Sequence, residues 1–257
     1  MGTTRPNGSL FTKIEGATAH VEFGHPASNS FVMELLERLA SEITVLSENK
    51  QIKLIVLKSE GDRAFCAGAS FDELVQISSL EEGKRFFGGF ARVINAMRRC
   101  NIPIVGRVQG KAVGGGVGLI ASCDYVLATE QASVRLSEIS IGIAPLVIAP
   151  AVERKIGKAA LAELAFSPTE WKNAYWARDK GLFSKVYDNI KELDKELDFF
   201  VTQLSKYERP AMEAMSRVLW EGTEHWDTLL EKRAEMSGKL GLSTETKSIL
   251  DRIKKKR

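Results

Sequence analysis

Three cysteines in 257 residues, Cys66, Cys100 and Cys123, are too few and too unevenly spaced for a disulfide framework or a metal knuckle. Their scarcity points to a reducing compartment. No apolar run approaches the roughly 20 residues that a membrane-spanning helix needs. The first ten residues, MGTTRPNGSL, contain no apolar signal core, and Pro6 stands where a myristoylation signal carries Ser or Thr. A cytoplasmic protein is therefore expected. Charge of one sign is also missing: the formal net charge is +3, too small to argue for a nucleic-acid partner. Histidines number three, His20, His25 and His225, each far in sequence from the motifs below and expected to be ordinary surface or core residues. Neither repeats nor low-complexity segments occur.

What is present is ordinary globular composition, 44% hydrophobic and 27% charged. A chain of this size buries about 70–75% of its unfolded surface, so no covalent staples are needed. Residues 10–24 alternate as a hairpin about Glu15-Gly16. Phe31, Leu35, Leu39 and Ile43, four apart, predict an amphipathic helix over 31–48 with Asn29 or Ser30 as its N-cap. Residues 53–58 form a short apolar strand flanked by lysines. Strand, helix and strand in that order indicate α/β architecture. One or two helical turns follow at 71–78, and a longer helix at 81–100 carries a Gly88-Gly89 pair in its interior. A strand follows at 103–108. Beyond Pro145, helices are expected over 151–167, 168–181, 190–207, 209–221 and 224–239, with a strand at 185–187. The basic end, Lys254-Lys255-Lys256-Arg257, reads as a solvated, frayed terminus.

The stretch Lys111–Pro145 organises the rest. Gly114-Gly115-Gly116 follows a strand and precedes a helix start, and a glycine turn entering a helix presents unpaired N–H groups to an anion or oxyanion. A tight packed turn is the alternative. Gly116 to Ala121 also matches G-x-G-x-x-A, and Glu138 stands twenty residues past Gly118, the outline of a dinucleotide fingerprint. The helix after it is too short for the crossover such a fingerprint requires. Glu138 sits in VRLSEISIGI, where the alternation of apolar residues breaks at Ser137-Glu138. A bend or bulge there would aim the carboxylate, and an apolar pocket would raise its pKa toward that of a general base.

These motifs together resemble the crotonase, or enoyl-CoA hydratase/isomerase, superfamily, most strongly over residues 52–188. Ala64-Phe65-Cys66-Ala67-Gly68-Ala69 is similar to the family's first oxyanion segment and Gly110 to Gly116 to its second. Cys123-Asp124 follows as in the family. Ser137-Glu138-Ile139 is similar to the acid/base segment, and Ala174–Val186 to the helix leading into its last strand. The resemblance implies a ββα spiral core, expected over 1–190, and a C-terminal helical region, 191–257, that mediates trimerisation. It implies a homotrimer or homohexamer acting on an acyl-CoA thioester in fatty acid metabolism. No metal or separate cofactor is implied, because coenzyme A is part of the substrate. The amides of Ala69 and Gly115 would hold the thioester oxygen and Glu138 would move protons. Pro26, Ala27, Ser28, Ala67, Gly68 and Gly114 would contact the coenzyme and substrate. Leu74–Phe90, with Leu146 or Phe166, would line the acyl pocket.

The chain departs from the family pattern in one telling way. Many hydratases carry a glutamate two residues after the triple glycine, and here that residue is Gly118. Ser70 replaces a common aspartate, and Ile143 to Ile148 lacks the glycines frequent in hydratases of straight-chain enoyl substrates. One carboxylate suffices to move a double bond, whereas hydration is served better by two. Isomerisation is therefore expected, with enoyl- or dienoyl-CoA hydration as the alternative. A reading of another class is a non-catalytic acyl-CoA binder, or an RNA binder using Lys254–Arg257, which the small net charge disfavours. Cys66 and Cys123 lie within the motifs without an adjacent base and are expected to be inert packing.

Overall fold

The computed structural model describes residue 5 and residues 7–255. Six strands form the main sheet: β1 Ser9–Glu15, β2 Thr18–Gly24, β3 Leu54–Ser59, β4 Ile104–Val108, β6 Tyr125–Thr129 and β9 Lys185–Tyr187, side by side in that order. Only β1 is antiparallel to its neighbour. The β1–β2 hairpin turns at Gly16-Ala17, where Gly16 takes φ 59°. β3, which has parallel neighbours on both sides, reads as a continuous apolar run, as a strand buried on both faces should.

A second, smaller ladder runs alongside. Short strands β5 Ala112–Val113, β7 Ser133–Arg135 and β8 Lys172–Asn173 pair with one another. Single bridges Phe31–Ala69 and Cys66–Ala112 continue the ladder toward the N-terminus. Each turn of the chain thus gives one strand to the large sheet, one short extended piece to the ladder, and then a helix. This is the expected ββα spiral. The helices are α1 Met33–Glu48, α2 Phe71–Leu74, α3 Leu80–Arg98, α4 Gly115–Ser122, α5 Ala149–Phe166 and α6 Ala174–Asp179. Phe23, Phe31 and Phe65, fully buried and in edge or tilted contact, sit where sheet, ladder and α1 meet. Each such side chain contributes about 1.5–3 kcal/mol by leaving water.

Four helices end the chain: α7 Ile190–Leu204, α8 Arg209–Leu219, α9 Trp226–Gly241 and α10 Thr244–Lys254. Leu193, Leu197 and Val201 of α7 cover the outer face of the sheet at Leu54, Val56, Val105 and Leu127. α9 packs along α3. A Cβ on Gly83 would lie 2.8 Å from the Gly238 Cα, so the two helices touch backbone to backbone. The glycine interior of α3 serves a second neighbour too, since a Cβ on Gly89 would meet Leu36 of α1 at 2.7 Å.

Several expectations are corrected. Neither Asn29 nor Ser30 caps α1. The helix starts at Met33, whose N–H donates to the Glu73 carboxylate at 2.9 Å, while the Asn29 amide donates to the Glu60 and Ala64 carbonyls, both at 2.9 Å. The long helix expected at 168–181 is a turn, β8, and the short α6, which Asn173 caps by accepting the Trp176 N–H at 2.8 Å. α5 is interrupted at Gly157, with φ 75°. At the C-terminus Lys254 ends α10 and Lys255 caps it, while Lys256 and Arg257 of the expected frayed tail lie outside the described residues. Among the described residues no helix is long and apolar enough to cross a membrane.

Candidate active site

The ladder brings the two glycine-bearing segments together. In the single-residue bridge, Phe31 uses both its backbone groups: its N–H donates to the Gly68 carbonyl and its carbonyl accepts from Ser70 N–H, each at 2.8 Å. The N–H of Ala69, between them, is therefore turned away from Phe31. Gly68, at φ 87°, lets this segment lie against the next one. A Cβ there would stand 3.0 Å from the Val113 carbonyl oxygen and 3.6 Å from the Gly115 nitrogen. Gly115 is the first residue of α4, so its N–H has no acceptor within the helix. Ala69 and Gly115 both line one cavity of about 460 Å³. Two amides with no hydrogen-bond acceptor among the described residues, one at a helix N-terminus, suit an oxyanion.

The triple glycine now has a reason at each position. Gly114 takes φ 52° and ψ −117°, and its N–H donates to the Arg135 carbonyl at 2.9 Å. A Cβ on Gly115 would run into the Phe90 ring at 2.2 Å, and one on Gly116 into Cys66 at 2.7 Å. The turn is both tightly packed and a donor site, so the two readings of the glycines hold together. Cys66, Cys100 and Cys123 are buried free thiols. Burial pushes Cys66 and Cys123 up to about 12, which leaves them inert.

Glu138 lines the same cavity. It opens a 3-10 turn, Glu138–Ile141, directly after β7, so the break in alternation is a change from strand to helical turn rather than a bulge. Gly142, at φ 82°, closes the turn, and its carbonyl accepts from the Thr246 hydroxyl of α10 at 2.8 Å. The residue is only partly buried, but its Oε2 is fully buried without a hydrogen-bond partner among the described residues. Burial raises the carboxyl to about 7, against the smaller opposing pull of its own backbone N–H and of Arg135. A carboxyl poised there can take a proton and return it near neutral pH.

Ala27, Ala67, Gly68 and Gly114 also line the cavity. Pro26 and Ser28 do not. Ser28, at φ 55°, instead accepts the Ala67 N–H on its carbonyl at 3.1 Å and so steadies the Ala64–Ala69 segment. Leu74, Phe86, Phe87, Phe90 and Leu146 form apolar wall, whereas Phe166 is 78% exposed and takes no part. His25 is closer to the chemistry than its sequence position predicts: it lines the cavity, and its Nδ1 accepts the Ala27 N–H at 3.1 Å. The sequence reading also missed Arg135, Ile148, Ser237 of α9 and Ile253 of α10, all in the wall. Nothing in their local sequence marks them, since two come from helices more than ninety residues beyond Glu138.

Gly118 does not line the cavity. A Cβ on it would stand 2.5 Å from Ile148 Cγ2, so Ile148, which does line the cavity, covers the place from which a second carboxylate would project. Asp72 is the other carboxylate in the lining and is exposed. A larger hollow of about 1130 Å³ lies between α1, α3 and α9, but it is a charged surface furrow with Lys84, Arg92 and Asp227 in its walls and neither oxyanion segment.

Over 167 residues the chain is 32% identical to methylglutaconyl-CoA hydratase of Rattus norvegicus, a match covering 65% of this chain and 52% of that protein. It therefore spans about half the length of that relative. It is 26% identical over 193 residues to the peroxisomal Delta(3,5)-Delta(2,4)-dienoyl-CoA isomerase of Arabidopsis thaliana, covering 70% and 69% of the two chains. The fold superposes on an enoyl-CoA hydratase from Bacillus halodurans with a TM-score of 0.87, at 22% identity, over 95% of this chain and 99% of that one. The family pattern described as enoyl-CoA hydratase/isomerase matches residues 13–252, and the chain belongs to that family.

Proposed function

We propose that the protein is an acyl-CoA enzyme that moves a double bond, converting a 3-enoyl thioester to the conjugated 2-enoyl form. The carrying observation is that Glu138 is the one partly buried carboxylate in the cavity lining, with Ile148 standing over Gly118 where a partner acid would project. The Glu138 carboxylate removes a proton from C2. Charge moves onto the thioester oxygen, which the Ala69 and Gly115 amides hold, each such donor being worth about 2.7–4 kcal/mol in the transition state. The protonated carboxyl then delivers the proton to C4, and the dienolate collapses to the conjugated product. Water is neither consumed nor released.

The test is incubation with a 3-enoyl-CoA and, separately, a 2-enoyl-CoA, with products resolved by mass. A conjugated product of unchanged mass, reduced about 10²- to 10⁴-fold in Glu138→Gln, is expected. A product heavier by one water would replace this reading with hydration, the activity in the name of the Rattus norvegicus relative. Binding without turnover of either thioester would indicate an acyl-CoA binder. Full turnover in Glu138→Gln would sink the assignment of the base. By family resemblance the working assembly is a homotrimer or homohexamer, which sedimentation of the purified protein would reveal.

A further inference from the structure

Arg135 is not used by the mechanism above. It ends β7, three residues before Glu138, and lines the same cavity. Its guanidinium lies over the Trp171 ring, with Cζ 4.4 Å from the centroid, and the Lys111 ammonium lies 4.9 Å from the same centroid. Neither cation forms an ion pair among the described residues, although seventeen other pairs are found there. The Arg135 Nε is buried and has no hydrogen-bond partner among the described residues. A buried donor left unpaired is costly, and a guanidinium fork matches a carboxylate or a phosphate in bidentate geometry. The ring face holds the fork in place, so little freedom is lost when a ligand arrives.

The order of neighbours separates two sources of such an anion. Along the backbone, Ser28 of the N-terminal loop bonds Ala67, Gly68 lies against Gly115, and Gly114 lies against Glu138 and donates its N–H to the Arg135 carbonyl. Arg135 is thus at the end of this series remote from the loop expected to meet the coenzyme, with the reacting groups between. That backbone position favours the far part of the acyl group over the phosphates of coenzyme A, although the loop's His25 and Ala27 line the same cavity.

Resting on the acyl-CoA reading above, we propose that Arg135 binds a carboxylate carried by the acyl group, so that the substrates are acyl-CoA thioesters with an acidic acyl portion. Arg135 is a specificity residue here, and Glu138 remains the group that moves protons.

Equilibrium binding of adipoyl-CoA and hexanoyl-CoA tests this without requiring turnover. The two have the same chain length and differ by the terminal carboxylate, and neither has a double bond to move. The wild-type protein is expected to prefer adipoyl-CoA. Arg135→Gln is expected to weaken adipoyl-CoA about 10- to 100-fold while leaving hexanoyl-CoA within about threefold. Retained hexanoyl-CoA binding also reports that the variant is folded. If the variant does not fold, the wild-type preference decides alone, and Arg135→Lys is expected to keep part of it. Equal weakening of both thioesters would assign Arg135 to the coenzyme phosphates and overturn the proposal. So would a wild-type protein with no preference. Failure to bind either thioester would overturn the acyl-CoA reading along with it, whereas a preference without any turnover would sustain the proposal and remove only the assigned reaction.

Discussion

Gly114 and Glu138 are built against each other: a Cβ on Gly114 would stand 2.7 Å from the Glu138 Oε1. The same glycine holds φ 52° with ψ −117°, a region that side chains other than hydrogen rarely permit. Backbone geometry and the seat of the carboxylate therefore depend on one missing methyl. Gly114→Ala is expected to destabilise the protein by about 1–3 kcal/mol and to displace the carboxylate. Turnover of a 3-enoyl-CoA should fall about 100-fold or more, because small misplacements of reacting groups are that costly. Steady-state kinetics beside a denaturant titration would show both, and a stable, fully active Gly114→Ala would refute the relationship.

Ile148 makes a second prediction possible. Gly118→Glu alone places a carboxylate against Ile148, which a Cβ already approaches to 2.5 Å. That variant is expected to lose about 1–3 kcal/mol by overpacking and to gain no hydration. Gly118→Glu combined with Ile148→Ala removes the obstruction. The double variant is expected to recover stability and to add water to a 2-enoyl-CoA. Hydration by the single variant would show that Ile148 is no barrier.

Titration of Glu138 links stability to pH. Its carboxyl lies at about 7 in the folded chain, raised by burial from an ordinary value of 4.5. The folded state binds the extra proton between these values, so its contribution is fully present at low pH and lost as pH rises toward 7. Glu138→Gln abolishes this loss. Relative to wild type, the variant should gain stability from pH 5 to pH 8 by up to about 3 kcal/mol, less what solvent screening removes. Thermal unfolding of the two proteins across that range would measure it. A stability difference that does not change with pH would mean that Glu138 titrates normally.

The sequence displayed the candidate site better than its surroundings. The glycine turn, the first oxyanion segment and Glu138 are local signals, because positive φ, close approach and a broken alternation each leave a mark within a few residues. The alternation, the four-residue spacing and the short apolar runs likewise carried the main sheet, α1 and α3. What escaped was set by distant partners. Met33 is capped by Glu73, forty residues on, so the nearby Asn29 and Ser30 misled. The Gly88-Gly89 pair reads as a weak point of α3 until Leu36 of α1 is seen against Gly89. Arg135, Ser237 and Ile253 reach the cavity only through packing that no periodicity encodes.

The C-terminal helices give a last test. Thr246 on α10 donates its hydroxyl to the Gly142 carbonyl at 2.8 Å, at the end of the turn that Glu138 begins, and accepts from the Ser243 hydroxyl at 3.0 Å. Thr246 itself is buried, but both bonds are only partly so, since Gly142 and Ser243 are half-buried. Thr246→Val keeps the shape and removes the hydroxyl. It is expected to destabilise the protein by about 0.5–1.5 kcal/mol. If α10 also fixes the catalytic turn, kcat should fall with KM little changed and the pH profile displaced, since the turn sets the burial of Glu138. Thr246→Ser should restore both. A loss of stability with kinetics untouched would confine the C-terminal helix to structural support.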